Sequence, residues 1–242
     1  MAILKDWLSE TVPLGLLNWL PRAVSTATFS SFTRMASENR VALNLAFSRS
    51  LRLLWVISLP IALSVFFLAR PLIMTLGGEE YEDSVILMRW LIWITCLSFL
   101  SMQFRFLMAA IGKQRVFAGL VIAVLAIEIG VEALLIPHWG GFGACAGSLL
   151  GELVFVVTGL LILKRLGVAM NEWGAMARAA LAVVPMGAIL WSAQGEPLAL
   201  LIAIAVCATV LYVALCCLMG AVRWDEVLMV GRPRRPGRPV SR

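Results

Sequence analysis

Polar positions in this chain interrupt long apolar runs. Apolar stretches fall near 12–33, 53–76, 85–110, 116–136, 142–164, 176–192 and 198–221. A helix rises about 1.5 Å per residue, so roughly 20 apolar residues cross a hydrocarbon layer about 30 Å thick. Each run is about that long, with 176–192 the shortest. The pattern predicts an all-α integral membrane protein of about seven transmembrane helices. It places one membrane domain over 12–222, with a short segment at 1–11 and an Arg/Pro-rich tail at 223–242. That tail is too rich in proline to be helical.

The segments between the runs alternate in charge. Residues 34–52 carry Arg34, Arg40, Arg49 and Arg52, whereas 77–84 carry Glu79, Glu80, Glu82 and Asp83. Lys113 and Arg115 follow, then His138 in an otherwise uncharged turn, then Lys164, Arg165 and Arg178, then Glu196 alone. The tail is basic again, from Arg223 to Arg242. Basic loops stay on the cytoplasmic side. The expected topology in the cell (inner) membrane therefore has the C-terminus cytoplasmic and the N-terminus outside. Trp55, Trp90, Trp93, Trp139, Trp173, Trp191 and Trp224 fall near span ends. That is where an aromatic belt meets the headgroups.

Composition agrees with a membrane protein. The chain is 61% hydrophobic and 14% charged, with mean hydropathy +0.93. Lipid can solvate that much apolar surface, and a soluble core of this size cannot bury it. The net charge of +6 is read as a topology signal and an attraction to anionic headgroups, not as nucleic-acid binding. Cys96, Cys145, Cys207, Cys216 and Cys217 all lie in apolar runs, with no CxxC pair, and are read as small hydrophobes. No metal site or cofactor is expected, and residues 1–11 (MAILKDWLSET) show no signal-peptide pattern. No enzyme is expected either. His138, the sole histidine, sits beside Trp139, and Ser64 and Ser148 have no histidine base within a span. The acidic loop at 79–83 is read as solvated.

Inside the spans, two kinds of residue stand out. Small residues cluster from Gly140 to Ser148, and Gly143, Gly147 and Gly151 form two overlapping GxxxG pairs. Such pairs bring helices close together; a close approach of substrate is the alternative. Pro60 and Pro185 are expected to kink their helices, and 165–175 to lie as a short amphipathic stretch at the inner interface. Five ionisable residues lie deep: Arg22, Arg105, Glu128, Glu132 and Glu152. Each costs about 2.5–3.5 kcal/mol if it faces lipid, so each should face protein or water. Glu128 and Glu132 are spaced i, i+4 and share one helix face. By helical rise, Arg22, Glu128 and Glu152 come level near the bilayer centre, and Arg89 comes level with Glu132 about 6 Å from the outer edge. The five are either structural ion pairs, with Arg22–Glu128 the leading one, or the lining of a polar path. Proton coupling through Glu128 or Glu132 is a narrower form of the second reading.

From about 50 to 165 the chain resembles the polysaccharide and lipid-linked oligosaccharide flippases of the MOP exporter superfamily, in their C-terminal half. The order of features carries the resemblance: Arg52 to Pro60 (RLLWVISLP), Ile73 to Tyr81 (IMTLGGEEY), Ala110 to Arg115 (AIGKQR), Leu135-Ile136-Pro137, and Gly140 to Gly147. Residues 20–35 (LPRAVSTATFSSFTRM) are also similar, although Ser30 stands where the family usually has proline. Glu128 and Glu132 occupy positions where the family usually has asparagine. The resemblance implies one lobe of a two-lobed flippase of about twelve to fourteen helices. It also implies movement of a polyprenyl-diphosphate-linked glycan by alternating access, with membrane lipids as surroundings. The missing N-terminal lobe would be a separate chain or a second copy in a homo-oligomer. Two other classes fit the same features: a multidrug or small-cation exporter of the same superfamily, and a non-transporting membrane subunit or truncated remnant.

Overall fold

The computed structural model describes residues 32–36, 40–168 and 172–222. Its elements are α1 (Arg40–Leu76), a 3-10 turn (Glu79–Tyr81), α2 (Ser84–Ala110), α3 (Gln114–Trp139), α4 (Gly141–Arg165), α5 (Trp173–Ser192) and α6 (Leu198–Leu218). All six helices are long and apolar enough to cross a membrane. Most of the first expected span, 12–33, lies outside the described residues, as do 1–11 and the tail from 223. Only 32–36 are described there, and they are helical.

Two boundaries differ from the sequence expectation. The basic segment 34–52 was expected to be a loop, yet from Arg40 onward it is the first part of α1. Leu43, Phe47 and Leu51 recur at helical spacing and are buried with Phe104, Leu107 and Leu163. That burial holds the backbone in the helix despite the charges beside it. The expected turn around His138 is instead the last turn of α3. Gly140 alone reverses the chain, at φ 54°. Only glycine takes that conformation without strain, so the reversal sits there and not at Pro137. The expected amphipathic stretch also departs from expectation. Its first part, after Arg165, is a turn, and residues 169–171 lie outside the description.

Short turns make consecutive helices antiparallel, so the bundle has two ends. One end carries the acidic turn after α1, the α3–α4 reversal and the α5–α6 turn. The other carries Lys113, Arg115, Lys164 and Arg165. Helix α1 is the central element, with α2 on one side and α5 and α6 on the other. Helix α4 packs on α2, and α3 lies outermost, mainly against α4. One apolar cluster joins α1, α2 and α4 and includes Phe47, Leu100, Phe104 and Phe155. A second joins α1, α5 and α6 through Leu59, Ala179, Met186, Ala208 and Tyr212. Polar contacts fix the helices' relative heights. The Tyr212 hydroxyl donates to the Val56 carbonyl at 3.0 Å, and Trp55 Nε1 donates to the Met176 carbonyl at 3.2 Å. All five cysteines are free thiols, with Cys96, Cys145 and Cys216 buried.

Candidate functional site

Two carboxylates, Glu128 and Glu132, lie in the seam between α3 and α4, and a third, Glu152 on α4, meets α2 through Ser101. Glu128 and Glu132 lie on the face of α3 that meets α4. Opposite them, Gly143, Gly147 and Gly151 recur every fourth residue and are buried. That spacing keeps them on one face of α4. A Cβ at Gly143 would stand 2.5 Å from the carbonyl carbon of Leu135. One at Gly147 would collide with the Glu132 side chain, and one at Gly151 would lie 3.1 Å from a carboxylate oxygen of Glu128. The space beside these glycines is therefore filled by α3: by its backbone at one end and by the two glutamates farther along.

Two hydroxyls serve this row. Ser148 on α4 donates to Glu132 at 2.9 Å. Ser101 on α2 donates to Glu152 on α4. All three carboxylates are half-buried. Among the described residues, no basic side chain forms an ion pair with any of them. A carboxylate with one hydroxyl donor keeps further lone pairs open, so the row can hold protons or attract a cation. No cluster of metal-ligating side chains occurs among the described residues.

The other expected charges are placed differently. Arg22, and with it the Arg22–Glu128 pair, lies outside the described residues. Arg105 is exposed on α2, five residues before the end of that helix at Ala110. A side chain of that length can reach an interface from there. Arg89 does not meet Glu132, although the two are level by helical rise. Its Nε donates to the Phe66 carbonyl at 3.3 Å, and its guanidinium lies 5.2 Å from the centre of the Phe66 ring. Arg89 faces α1, whereas Glu132 faces α4, and equal depth does not bring them together. Trp90, Trp139, Trp173 and Trp191 are exposed near helix ends. Trp55 lies within α1, about twenty residues from its acidic-end terminus at Leu76, roughly the length of one bilayer crossing.

Three features have no counterpart in the sequence reading. Arg52 is buried and pairs with Glu172 at 2.8 Å, tying α1 to the segment before α5. A crevice of about 700 Å³ opens at the acidic end between α1, α2 and the α5–α6 turn, with Arg70, Arg89, Glu82 and Glu196 on its walls. An apolar cleft of about 330 Å³ lies between α4 and α5, lined by Trp55, Phe104, Leu160 and Trp173 among others. The partners in each are distant in sequence, so no local motif marks them. The nearest signal is the placement of Arg70 and Arg89 toward the acidic-end termini of their helices.

Residues 8–86 match the family described as polysaccharide biosynthesis protein. The match covers roughly a third of the chain: the first expected span, α1, the acidic turn and the start of α2. No curated protein and no solved structure gives a significant match to the chain. With six membrane-length helices, the family match supports a multi-pass membrane protein with a general transport role and no catalytic one.

Proposed function

We propose that the chain is one lobe of a flippase that moves a polyprenyl-diphosphate-linked glycan across the inner membrane by alternating access. The observation that carries this reading is the match to a polysaccharide biosynthesis family on a bundle of membrane-length helices. Alternating access rocks two bodies about a site near the midplane. This chain supplies one body. The other is a separate polypeptide or a second copy of this chain. The carboxylate row Glu128–Glu132–Glu152 lines or couples the path, and the apolar cleft between α4 and α5 gives a lipid tail a route along the lobe. The acidic end faces outside and the basic end inside.

Reconstitution tests the reading. The chain is placed in liposomes with a fluorescent polyprenyl-diphosphate sugar, alone and with candidate partner lobes, and leaflet exchange is compared with empty liposomes. We expect exchange with a partner lobe or from a self-associated form of the chain, and loss of it in Glu128→Ala. Exchange by the chain alone in liposomes holding at most one copy each, abolished by Glu128→Ala, would overturn the one-lobe assignment.

A second reading is favoured by one observation: the three carboxylates have no described basic partner. Such a row suits the cationic cargo of a small-cation exporter. Efflux of an organic cation from the same liposomes, with no movement of the lipid-linked sugar, would select it.

A further inference from the structure

We propose that the crevice at the acidic end binds the zwitterionic headgroup of an aminophospholipid, with its phosphate on Arg89 and its ammonium on Glu196. The site is separate from the carboxylate row and does not depend on which cargo the lobe moves. The crevice measures about 700 Å³, within the roughly 300–1,000 Å³ usual for small-ligand sites. Phe67, Met74, Ile86 and Leu201 give it an apolar floor. Such a floor suits a glycerol backbone and the first methylenes of acyl chains.

Its four charges are not equivalent. Arg70 and Glu82 already pair at 2.9 Å, both well exposed. Arg89 is half-buried and held in place. Its Nε is committed to the Phe66 carbonyl, and its central carbon lies over the Phe66 ring, 5.2 Å from the ring centre. No described residue accepts from its two terminal nitrogens. A guanidinium fixed in this way offers a two-donor fork that matches phosphate oxygens. The Glu196 carboxylate, on the same wall set, likewise has no described partner. The crevice therefore presents one oriented anion receptor, one free carboxylate and one self-neutralised pair.

This balance selects the ligand. A diphosphate would add its negative charges beside Glu82 and Glu196 and gain only one free cation. An anionic phosphodiester lipid would leave Glu196 unpartnered. A phosphoethanolamine headgroup carries one charge of the right sign for each open group. Depth selects the source. Arg89 lies five residues inside the start of α2 at Ser84, about 8 Å along the helix. If the helices cross the bilayer, that is close to headgroup level, so a lipid can enter sideways from the leaflet.

The test uses the full chain purified in a non-ionic maltoside. It is titrated with short-chain phosphatidylethanolamine, short-chain phosphatidylglycerol and free phosphoethanolamine, and tryptophan fluorescence reports binding. We expect phosphatidylethanolamine to bind about tenfold more tightly than phosphatidylglycerol, the scale of one charge-assisted contact. Arg89→Gln and Glu196→Gln should each cost about tenfold in that binding. Glu196→Gln should also erase the preference between the two lipids. Glu196 lies on an exposed turn, so that variant keeps the test decisive if Arg89→Gln fails to fold. Equal affinity for the two lipids, or an unchanged preference in Glu196→Gln, would overturn the zwitterion assignment. Free phosphoethanolamine binding as tightly as the lipid would overturn the lipid source. Displacement of the lipid by a polyprenyl diphosphate at lower concentration would overturn it as well, and would assign the crevice to the transport path.

Discussion

A buried arginine needs a partner, and Arg52 shows how such a partner can come from far along the chain. Its side chain is 4% exposed, and Glu172, which is 20% exposed, supplies the carboxylate. A hydrogen bond to a charged group at a buried site contributes about 1.5–3 kcal/mol. Glu172→Gln should therefore lower the unfolding midpoint of the purified chain clearly. Glu82→Gln, which breaks the exposed Arg70 pair, should leave it within error, since exposed pairs contribute about 0–1 kcal/mol. Thermal unfolding in detergent gives both values, and equal effects would show that Arg52 is not buried as described. The sequence marked Arg52 as part of a basic loop because the local pattern holds only its charge. Its burial depends on a residue 120 positions away. Glu128, Glu132 and Glu152 were legible because a carboxylate in an apolar run is conspicuous by itself. Their hydroxyl donors were not, because Ser101 and Ser148 look like any other span serine until the helices are placed.

At the scale of elements, the existence of the helices was legible and their ends were less so. A run of apolar residues announces a span, but α1 extends to Arg40 because Leu43 and Phe47 find a tertiary surface. The glycine stripe is expected from sequence to be a contact face, and in the structure it lies against α3. The contact is graded along the seam, which makes it testable. Ala at Gly143 would press on the backbone of Leu135 and Ile136, which cannot yield unless α3 and α4 separate. Ala at Gly151 would meet the Glu128 side chain at 3.1–3.2 Å, and a carboxylate can rotate aside. Gly143→Ala should cost about 1–3 kcal/mol, as overpacking does, and Gly151→Ala should cost distinctly less. Chemical unfolding of the two variants in mixed micelles would give the order, and a reversed order would mean that α3 does not sit on α4 at this depth.

For the whole molecule, the short turns gather the acidic turn after α1 and the α5–α6 turn at one end, and Lys113 and the basic residues around it at the other. The charge of these loops sets which end stays inside, because basic loops resist translocation and acidic ones do not. The two ends must then differ in access from outside the cell. In a background with the five native cysteines replaced by alanine, Glu80→Cys and Gln194→Cys should react with an impermeant thiol reagent in intact cells. Lys113→Cys should react only after permeabilisation. Glu80 and Gln194 are more than a hundred residues apart in sequence but share one end of the bundle. Their agreement tests the fold, and the contrast with Lys113 tests the orientation. Labelling of Lys113→Cys alone in intact cells would invert the orientation and leave the bundle intact. Opposite behaviour of Glu80→Cys and Gln194→Cys would mean that an odd number of crossings separates them. The four-helix path from α2 through α5 would then have to be redrawn, and with it the crevice that both ends of that path enclose.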